Sequence, residues 1–397
     1  MRSMRSALSQ PQNMMVGVIW VTYACFYLGR VNFSVVLPLL AADLNVGRAE
    51  VGALGTVFFW VYGIAHFVSG EIGSHVSPFR IISLGLLVIA LVNILFAFQT
   101  SLAVMLLLWG INGVAQSSGW SPMFRILAER LERSQIKRVS TIMPFSYVFG
   151  TVMTWTLIGL AAGGGDWRIA FWLPGVMLLL VLAFWRRAGI DAPKSRSSAV
   201  RLSIIIQQSR SIAFALLAAA LGGFVFNGAI IWLPTYILDT GLIAEHLVGP
   251  AAALMQVAAI GGLFLARFQV RRSNQVFVTA ALMLTAASLA MLLMMMVDGA
   301  FTLLVMAVAL IMLNGAFGLT VSSLPLLLAP PGRTASVTGS INMMSNFFGG
   351  MAGFTVGGLV ELSGWDAVFA LWGAVLLVAA WVIWQRRAEE NHLAEAG

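Results

Sequence analysis

Residues 14–38 read MMVGVIWVTYACFYLGRVNFSVVLP, an apolar run with one charged residue, Arg30, well inside it. A transmembrane helix needs about 20 mostly apolar residues, so this run predicts a membrane span. An arginine keeps its charge at any attainable pH, and burying one at the centre of a span costs about 3 kcal/mol or more. Because such a charge has to be offset, Arg30 predicts a binding site for an anion that faces a water-filled cavity.

The chain as a whole has the composition of a multi-pass membrane protein. Of its 397 residues, 60% are hydrophobic and 10% are charged, and its mean hydropathy is +0.92. Helices satisfy their own backbone hydrogen bonds and are therefore suited to lipid. We predict an all-α integral membrane protein with twelve spans near residues 14–38, 50–72, 79–99, 102–125, 139–162, 168–186, 211–237, 247–267, 275–297, 301–326, 335–358 and 366–385.

Lys and Arg residues are concentrated in the connecting segments on one side of the predicted membrane. With both termini in the cytoplasm, the cytoplasmic segments hold 20 of the 23 basic residues, as the positive-inside rule requires. The net charge of +8 thus follows from topology, and charges scattered over separate loops do not indicate a nucleic-acid partner. We expect a bacterial-type cytoplasmic (inner) membrane protein with both termini inside.

The two halves of the sequence are related by an internal repeat. Local patterns recur at separations of 196 to 202 residues, in the pairs Pro38 and Pro234, Asn112 and Asn314, Gly150 and Gly349, and Trp167 and Trp365. Four recurrences at nearly constant separation indicate two copies of a six-helix unit. The predicted domains are residues 1–187 and 211–397, joined by a basic cytoplasmic linker at residues 188–210.

This plan resembles the major facilitator superfamily. Transporters of that superfamily bind substrate between the two halves, near the middle of the membrane, and rock between inward-open and outward-open states. The repeat aligns Arg30 with Phe226, 196 residues later. The pseudo-symmetric site therefore has one fixed cation rather than two, and Asn227 beside Phe226 could offer an amide.

Further candidate residues lie in the spans that are expected to line the cavity. His66 lies in the second span, with Tyr62 one helical turn earlier on the same face. A neutral imidazole can hydrogen-bond to a substrate, and a protonated one would add a pH-dependent charge, so His66 is also a candidate for proton coupling. The candidates in other spans are Gln116, Trp120, Tyr147 and Asn346. The alternative for each is an interhelical hydrogen bond worth about 0.6 kcal/mol.

Several function classes are disfavoured by what the sequence lacks. No carboxylate is predicted in mid-membrane, since Glu71 and Glu361 fall near the ends of their spans, whereas an exporter of cationic drugs is expected to bury one. The sequence has no phosphate-binding loop, zinc spacing or hydrolase nucleophile motif. We therefore expect neither an enzyme nor a bound cofactor.

A narrower resemblance is carried by two motifs of the first half, Tyr27-Leu-Gly-Arg30 and Gln116-x-x-Gly119-Trp120-x-Pro122-x-x-Arg125. They look like the organophosphate:phosphate antiporter family, which includes the glycerol-3-phosphate transporter. In that family two symmetric arginines bind the phosphate, and substrate is exchanged for inorganic phosphate by a rocker-switch movement.

The resemblance implies that Arg30 is the first of these arginines, while Phe226 stands at the second. His66 stands where the glycerol-3-phosphate type carries a lysine, and Tyr147 where it carries a histidine. These departures remove positive charge, and a dianion held by one arginine would be poorly compensated in a site of low dielectric. A monoanion is the better match, whether a carboxylate, a phosphodiester, a singly protonated phosphonate or a substrate with its own positive charge.

We therefore predict a monomeric secondary active transporter of a small organic anion, which is an organophosphate, a phosphonate or a carboxylate. The coupling ion, inorganic phosphate or a proton, is left open. The alternatives are an efflux carrier for an amphipathic antibiotic or metabolite, and a membrane sensor without transport. The predicted substrate-binding residues are Arg30, His66, Tyr27, Tyr62, Gln116, Trp120, Tyr147, Phe226, Asn227 and Asn346.

Overall fold

A computed structural model describes residues 8–72, 76–163, 165–192, 210–329 and 334–388, and every regular element in these ranges is helical. The first half contains α1 (Gln10–Phe26), α2 (Asn32–Leu44), α3 (Arg48–Ile72), α4 (Pro78–Ala97), α5 (Leu102–Gln116), α6 (Trp120–Arg130), α7 (Arg133–Ile142), α8 (Pro144–Ala162) and α9 (Ile169–Ala188). The second half contains α10 (Arg210–Asp239), α11 (Val248–Ser273), α12 (Val276–Leu293), α13 (Ala300–Gly318), α14 (Leu324–Leu328) and α15 (Thr334–Trp384). Residues 193–209 of the predicted linker lie outside the described ranges.

Ten helical segments of the described chain are long and apolar enough to cross a membrane. One of them, Val337–Trp384, has 48 residues and is interrupted at Gly364, whose φ of 76° and ψ of −175° join two helices. Helix α3 adds a further apolar helix of 25 residues. The all-α fold with twelve membrane-spanning helices, which the sequence predicts, is thereby confirmed.

Breaks fall well inside three of the predicted spans, although the hydropathy of these spans is continuous. A 3₁₀ turn at Tyr27–Gly29 separates α1 from α2, and residues 117–119 separate α5 from α6. A π turn at Leu319–Ser323 separates α13 from α14, 202 residues after the break at residue 117. The repeat thus preserves one of the breaks, whereas the break before Arg30 has no equivalent in α10, which is continuous past Phe226.

Side-chain amides satisfy the carbonyl groups that are released at the break in the first span. The Gln116 amide donates a hydrogen bond of 3.0 Å to the carbonyl of Phe26, and the Asn112 amide donates one of 2.7 Å to the carbonyl of Gly29. A break within a membrane span is tolerated only where such groups find partners. These two buried amides of α5 therefore hold the backbone in the conformation that presents Arg30.

Glycines bring helices of the two halves into backbone contact at one end of the bundle. A methyl group on Gly52 of α3 would overlap the carbonyl oxygen of Gly353 in α15, and one on Gly249 of α11 would overlap a backbone carbonyl of α8. The Thr56 hydroxyl donates to the carbonyl of Gly350 at 2.7 Å across the same interface. We call this the closed end.

Candidate substrate-binding site

Arg30 lies directly after the 3₁₀ turn, half-buried, with its guanidinium group surrounded by aromatic rings. The guanidinium carbon is 4.4 Å from the ring centre of Tyr62 and 5.2 Å from that of Tyr27. The rings of Phe58 and Phe59 are 5.5 and 5.7 Å away. Each such contact contributes about 0.5–2 kcal/mol. The Tyr62 hydroxyl is also a hydrogen-bond partner of the guanidinium. The aromatic faces themselves attract the cation without occupying its other N–H groups, which suits a site that binds an anion.

No carboxylate neutralises Arg30 within the described part of the chain. The ion pairs of the described residues join Arg48 to Asp239, Arg125 to Glu129 and Arg168 to Asp43. Among the same residues no Asp or Glu side chain is buried; the side chain of Glu71 lies outside the described set.

His66 is separated from Arg30 by the ring of Tyr62. The rings of His66 and Tyr62 stack at 5.4 Å with an angle of 26° between their planes, as expected for residues one turn apart on α3. His66 is half-buried. The imidazole of His66 and the guanidinium of Arg30 therefore both contact the ring of Tyr62.

A row of aromatic side chains extends from Arg30 to the second half. The Tyr27 ring is 5.8 Å from that of Tyr23 and 6.1 Å from that of Tyr147, and the Tyr23 ring is 4.9 Å from that of Trp120. The Tyr147 hydroxyl donates a hydrogen bond of 3.4 Å to the Asn314 side-chain oxygen, across the interface between the halves. Tyr27, Trp120 and Tyr147 are therefore brought together, and Tyr23 joins them.

Three predicted ligands use their amides to bind the backbone instead. Gln116 donates to the carbonyl of Phe26, Asn227 to that of Gly223 at 3.1 Å, and Asn346 to that of Asn342 at 2.7 Å. These three amides form structural hydrogen bonds, as the alternative interpretation expects. A role of the three residues in binding substrate stays a prediction.

Phe226, which stands opposite Arg30 in the repeat, lines a narrow, largely apolar cavity. Its ring stacks on that of Phe317 at 4.1 Å and 7°. Trp155 of α8 lines the same cavity, and its indole N–H donates at 3.2 Å to the carbonyl of Val31, the residue after Arg30. The cavity therefore adjoins the break in the first span.

A second polar cluster links the two halves at the closed end. The Arg48 guanidinium binds both oxygens of Asp239, one of them at 3.1 Å, and the Arg48 backbone N–H donates to Glu361. The indole N–H of Trp365 donates to Asp239 at 2.9 Å. We call Arg48, Asp239, Glu361 and Trp365 the latch.

Comparison with known proteins identifies the family. A family model described as Major Facilitator Superfamily matches residues 19–354. The chain belongs to the major facilitator superfamily. Among solved structures of this superfamily fold, the nucleoside transporter NupG superposes with a TM-score of 0.77 at 15% sequence identity, over 94% of this chain and 98% of that chain.

Several curated relatives are named as transporters of phosphate esters. The probable hexose phosphate transport protein of Chlamydia trachomatis is 30% identical over 163 residues, which are 41% of this chain and 36% of that protein. The phosphoglycerate transporter protein of Salmonella typhimurium is 21% identical over 391 residues, or 89% of this chain and 84% of that protein. The predicted resemblance to the organophosphate:phosphate antiporter family is confirmed.

Proposed function

We propose that this protein is a secondary active transporter of a small organic anion and works by rocker-switch alternating access. The observation that carries the proposal is the surroundings of Arg30. Its charge lies half-buried at a broken helix, against four aromatic rings, and no carboxylate of the described residues pairs with it. Broken helices in the middle of the membrane are a common way to build transporter sites.

The substrate is proposed to be a monoanion, since the site supplies one fixed positive charge. A phenylalanine stands at the repeat position that would supply a second arginine. One guanidinium can bind a carboxylate, phosphonate or phosphate group through two parallel hydrogen bonds. The names of the phosphate-ester transporters support a substrate with an oxyanion head group. The absence of a second arginine at position 226 supports a substrate with one negative charge rather than two.

The latch supports alternating access, because it ties the halves together at the closed end through side chains that can separate. The distribution of basic residues supports a closed end that faces outward and termini that face the cytoplasm of a bacterial-type inner membrane. We propose that inorganic phosphate or a proton is the coupling ion and that His66, stacked on Tyr62, would carry the proton. The transport unit is proposed to be the monomer.

The proposal is tested by thermal unfolding of the detergent-solubilised protein in the presence of phosphate, phosphate esters, phosphonates and carboxylates. A ligand that binds only the folded state raises stability by RT ln(1 + [L]/Kd). We expect one class of anion to stabilise the wild type but not Arg30→Ala. The matched control is Arg80→Ala, which removes an equal charge at an exposed position and should respond as the wild type does. Equal stabilisation of Arg30→Ala would contradict the proposal.

The apolar cavity beside Phe226 favours an efflux carrier for an amphipathic compound as the second candidate. In that case overproduction in a susceptible host would raise resistance to apolar antibiotics, and Arg30→Ala would leave the resistance unchanged. Loss of resistance in Arg30→Ala would instead indicate that the exported compound is an anion that binds Arg30.

A further inference from the structure

The cavity beside Phe226 has the position of a second binding subsite. It lies between the two halves and is lined by Trp155, Phe226, Leu233, Gln256, Leu313 and Asn314. Most of this lining is apolar. Pockets for small molecules typically combine an apolar wall with a few placed polar groups. Here the polar groups are the side-chain amides of Gln256 and Asn314. We call this cavity the tail pocket.

The two amides of the tail pocket differ in their hydrogen bonding. Asn314 donates to the carbonyl of Ala259 at 2.9 Å and accepts from the Tyr147 hydroxyl at 3.4 Å. Gln256 has only 7% of its surface exposed, and its amide forms no hydrogen bond with the described residues. A buried amide offers two donors and an acceptor, and leaving them unpaired is unfavourable. Gln256 therefore presents an unused hydrogen-bonding group to the pocket.

Two chains of contacts connect the tail pocket to Arg30. Trp155 lines the pocket, and its indole N–H donates a hydrogen bond to the carbonyl of Val31, the residue after Arg30. Tyr147 contacts the Tyr27 ring on one side and Asn314 of the pocket on the other. The tail pocket therefore lies next to residues that adjoin or surround Arg30.

The charges around the pocket restrict what this other end can be. Among the described residues no Asp or Glu is buried, so a cationic group would have no carboxylate partner there, and an apolar wall disfavours a second anion. We infer that the transported monoanion carries an uncharged, mainly apolar tail with one hydrogen-bonding group, and that Gln256 binds this group. The inference rests on the proposed function and narrows it, since it excludes zwitterions with a cationic tail.

The test compares four probes that share one head group: methylphosphonate, butylphosphonate, 4-hydroxybutylphosphonate and 4-aminobutylphosphonate. Dissociation constants are obtained from ligand-dependent unfolding temperatures of the wild type, Gln256→Met and Arg30→Ala. Methionine has a similar length and lacks the amide, and the unfolding temperature without ligand reports whether each variant folds. The matched control is Gln275→Met, which replaces an exposed glutamine.

For the wild type we expect the hydroxybutyl probe to bind about threefold to tenfold more tightly than the butyl probe, the range for one net hydrogen bond. The aminobutyl probe should bind most weakly. Gln256→Met should bind butylphosphonate and 4-hydroxybutylphosphonate with equal affinity and should still bind butylphosphonate more tightly than methylphosphonate. Gln275→Met should keep the wild-type ratios of dissociation constants. An unchanged hydroxybutyl preference in Gln256→Met, or tight binding of the aminobutyl probe, would overturn the inference alone. Wild-type binding by Arg30→Ala, or no binding of any probe to the wild type, would overturn the proposed function with it.

Discussion

Arg48 at the start of α3 forms an ion pair with Asp239 at the end of α10, and this pair joins the two halves at the closed end. The first half contains a related arrangement in which the cation comes from the same half. Asp43 accepts a hydrogen bond of 2.9 Å from the Trp167 indole and pairs with Arg168.

The repeat explains why the two arrangements differ. Asp43 and Asp239 are 196 residues apart, and Trp167 and Trp365 are 198 apart. The residue after Trp167 is Arg168, whereas the residue after Trp365 is Asp366. The second half therefore lacks its own cation at this position, and Asp239 pairs with an arginine of the other half.

Removing this pair should favour opening of the closed end. In Arg48→Gln, Asp239 loses its partner, and because the pair is partly exposed, we expect the open population to rise by up to about fivefold, the range for such pairs. Distances between spin labels at Ser101 and Leu242, exposed positions in the two halves, report the change. The labels require Cys25→Ser, which removes the one native cysteine.

Arg168→Gln is the control for the latch, since it removes a similar pair that lies within the first half. It should leave the distance distribution unchanged. If Arg48→Gln and Arg168→Gln behaved alike, the pair at Asp239 would have no special part in holding the halves together.

The contact between Gly353 and Gly52 should be sensitive to a single methyl group. In Gly353→Ala the new methyl would overlap the backbone carbonyl of Gly52, and overpacking of this kind costs about 1–3 kcal/mol. We expect a lower unfolding temperature and a larger open population by the same label distances. Gly261→Ala is the control, because nothing lies near the added carbon there, and a helical alanine is about 0.5–1 kcal/mol more favourable than glycine. Equal unfolding temperatures for the two variants would contradict the close contact.

The planar shape of the Arg30 side chain should matter for binding as well as its charge. Arg30→Lys keeps the charge but loses the fork that binds an oxyanion through two hydrogen bonds. We expect the dissociation constant of the stabilising anion to rise about tenfold or more, as for the loss of a charge-assisted hydrogen bond. The measurement is anion-dependent unfolding, and wild-type affinity in Arg30→Lys would argue against the two-bond arrangement.

Asp191 should make stability depend on pH at the end opposite the latch. Burial alone would raise the pKa of this carboxyl, but hydrogen bonds from the Ser77 hydroxyl and the Phe79 and Ala192 amides, with the charge of Arg125, lower its pKa below the ordinary value. A carboxyl with a lowered pKa stabilises the fold above its ordinary pKa, and this contribution is lost as the pH falls through the pKa of the folded state.

The expected result is that Asp191→Asn unfolds at a lower temperature than the wild type at pH 7. The difference should shrink as the pH falls below about 4, the ordinary range of an aspartate. Asp298→Asn, at an exposed position, serves as the control and should differ little from the wild type at either pH. A difference for Asp191→Asn that persisted in acid would assign the effect to packing rather than to charge.

The overall fold could be predicted because it depends on features that sequence alone contains. Apolar runs of the right length and a repeat of constant separation determine twelve helices in two related halves. The breaks could not be predicted, because mean hydropathy contains no information on which backbone groups lack an intrahelical hydrogen bond. At Arg30 the break depends on amides of another helix, Asn112 and Gln116. The sequence offered Gln116 both as a substrate ligand and as an interhelical hydrogen-bond donor, without the partner that decides between them.

The candidate site was predictable in part. Arg30 was recognisable as a charge inside a span, and Tyr62 and His66 from their spacing on one helical face. Phe58 and Phe59 were missed, because aromatic residues are ordinary in membrane spans. Tyr23 lies four residues before Tyr27, and that spacing could have revealed it. Gln256 and the Arg48–Asp239 pair required the relative positions of helices that are far apart in sequence.

The most direct test of Arg30 as the anion site is transport itself. Purified wild-type protein and Arg30→Ala are reconstituted into proteoliposomes, with the control Arg80→Ala, and loaded with the unlabelled anion that stabilises the wild type in the unfolding screen. Entry of the same anion, radiolabelled, is then followed in exchange. We predict rapid exchange by the wild type and by Arg80→Ala and none above empty liposomes by Arg30→Ala. Exchange at the wild-type rate by Arg30→Ala would contradict an anion-binding role for this residue.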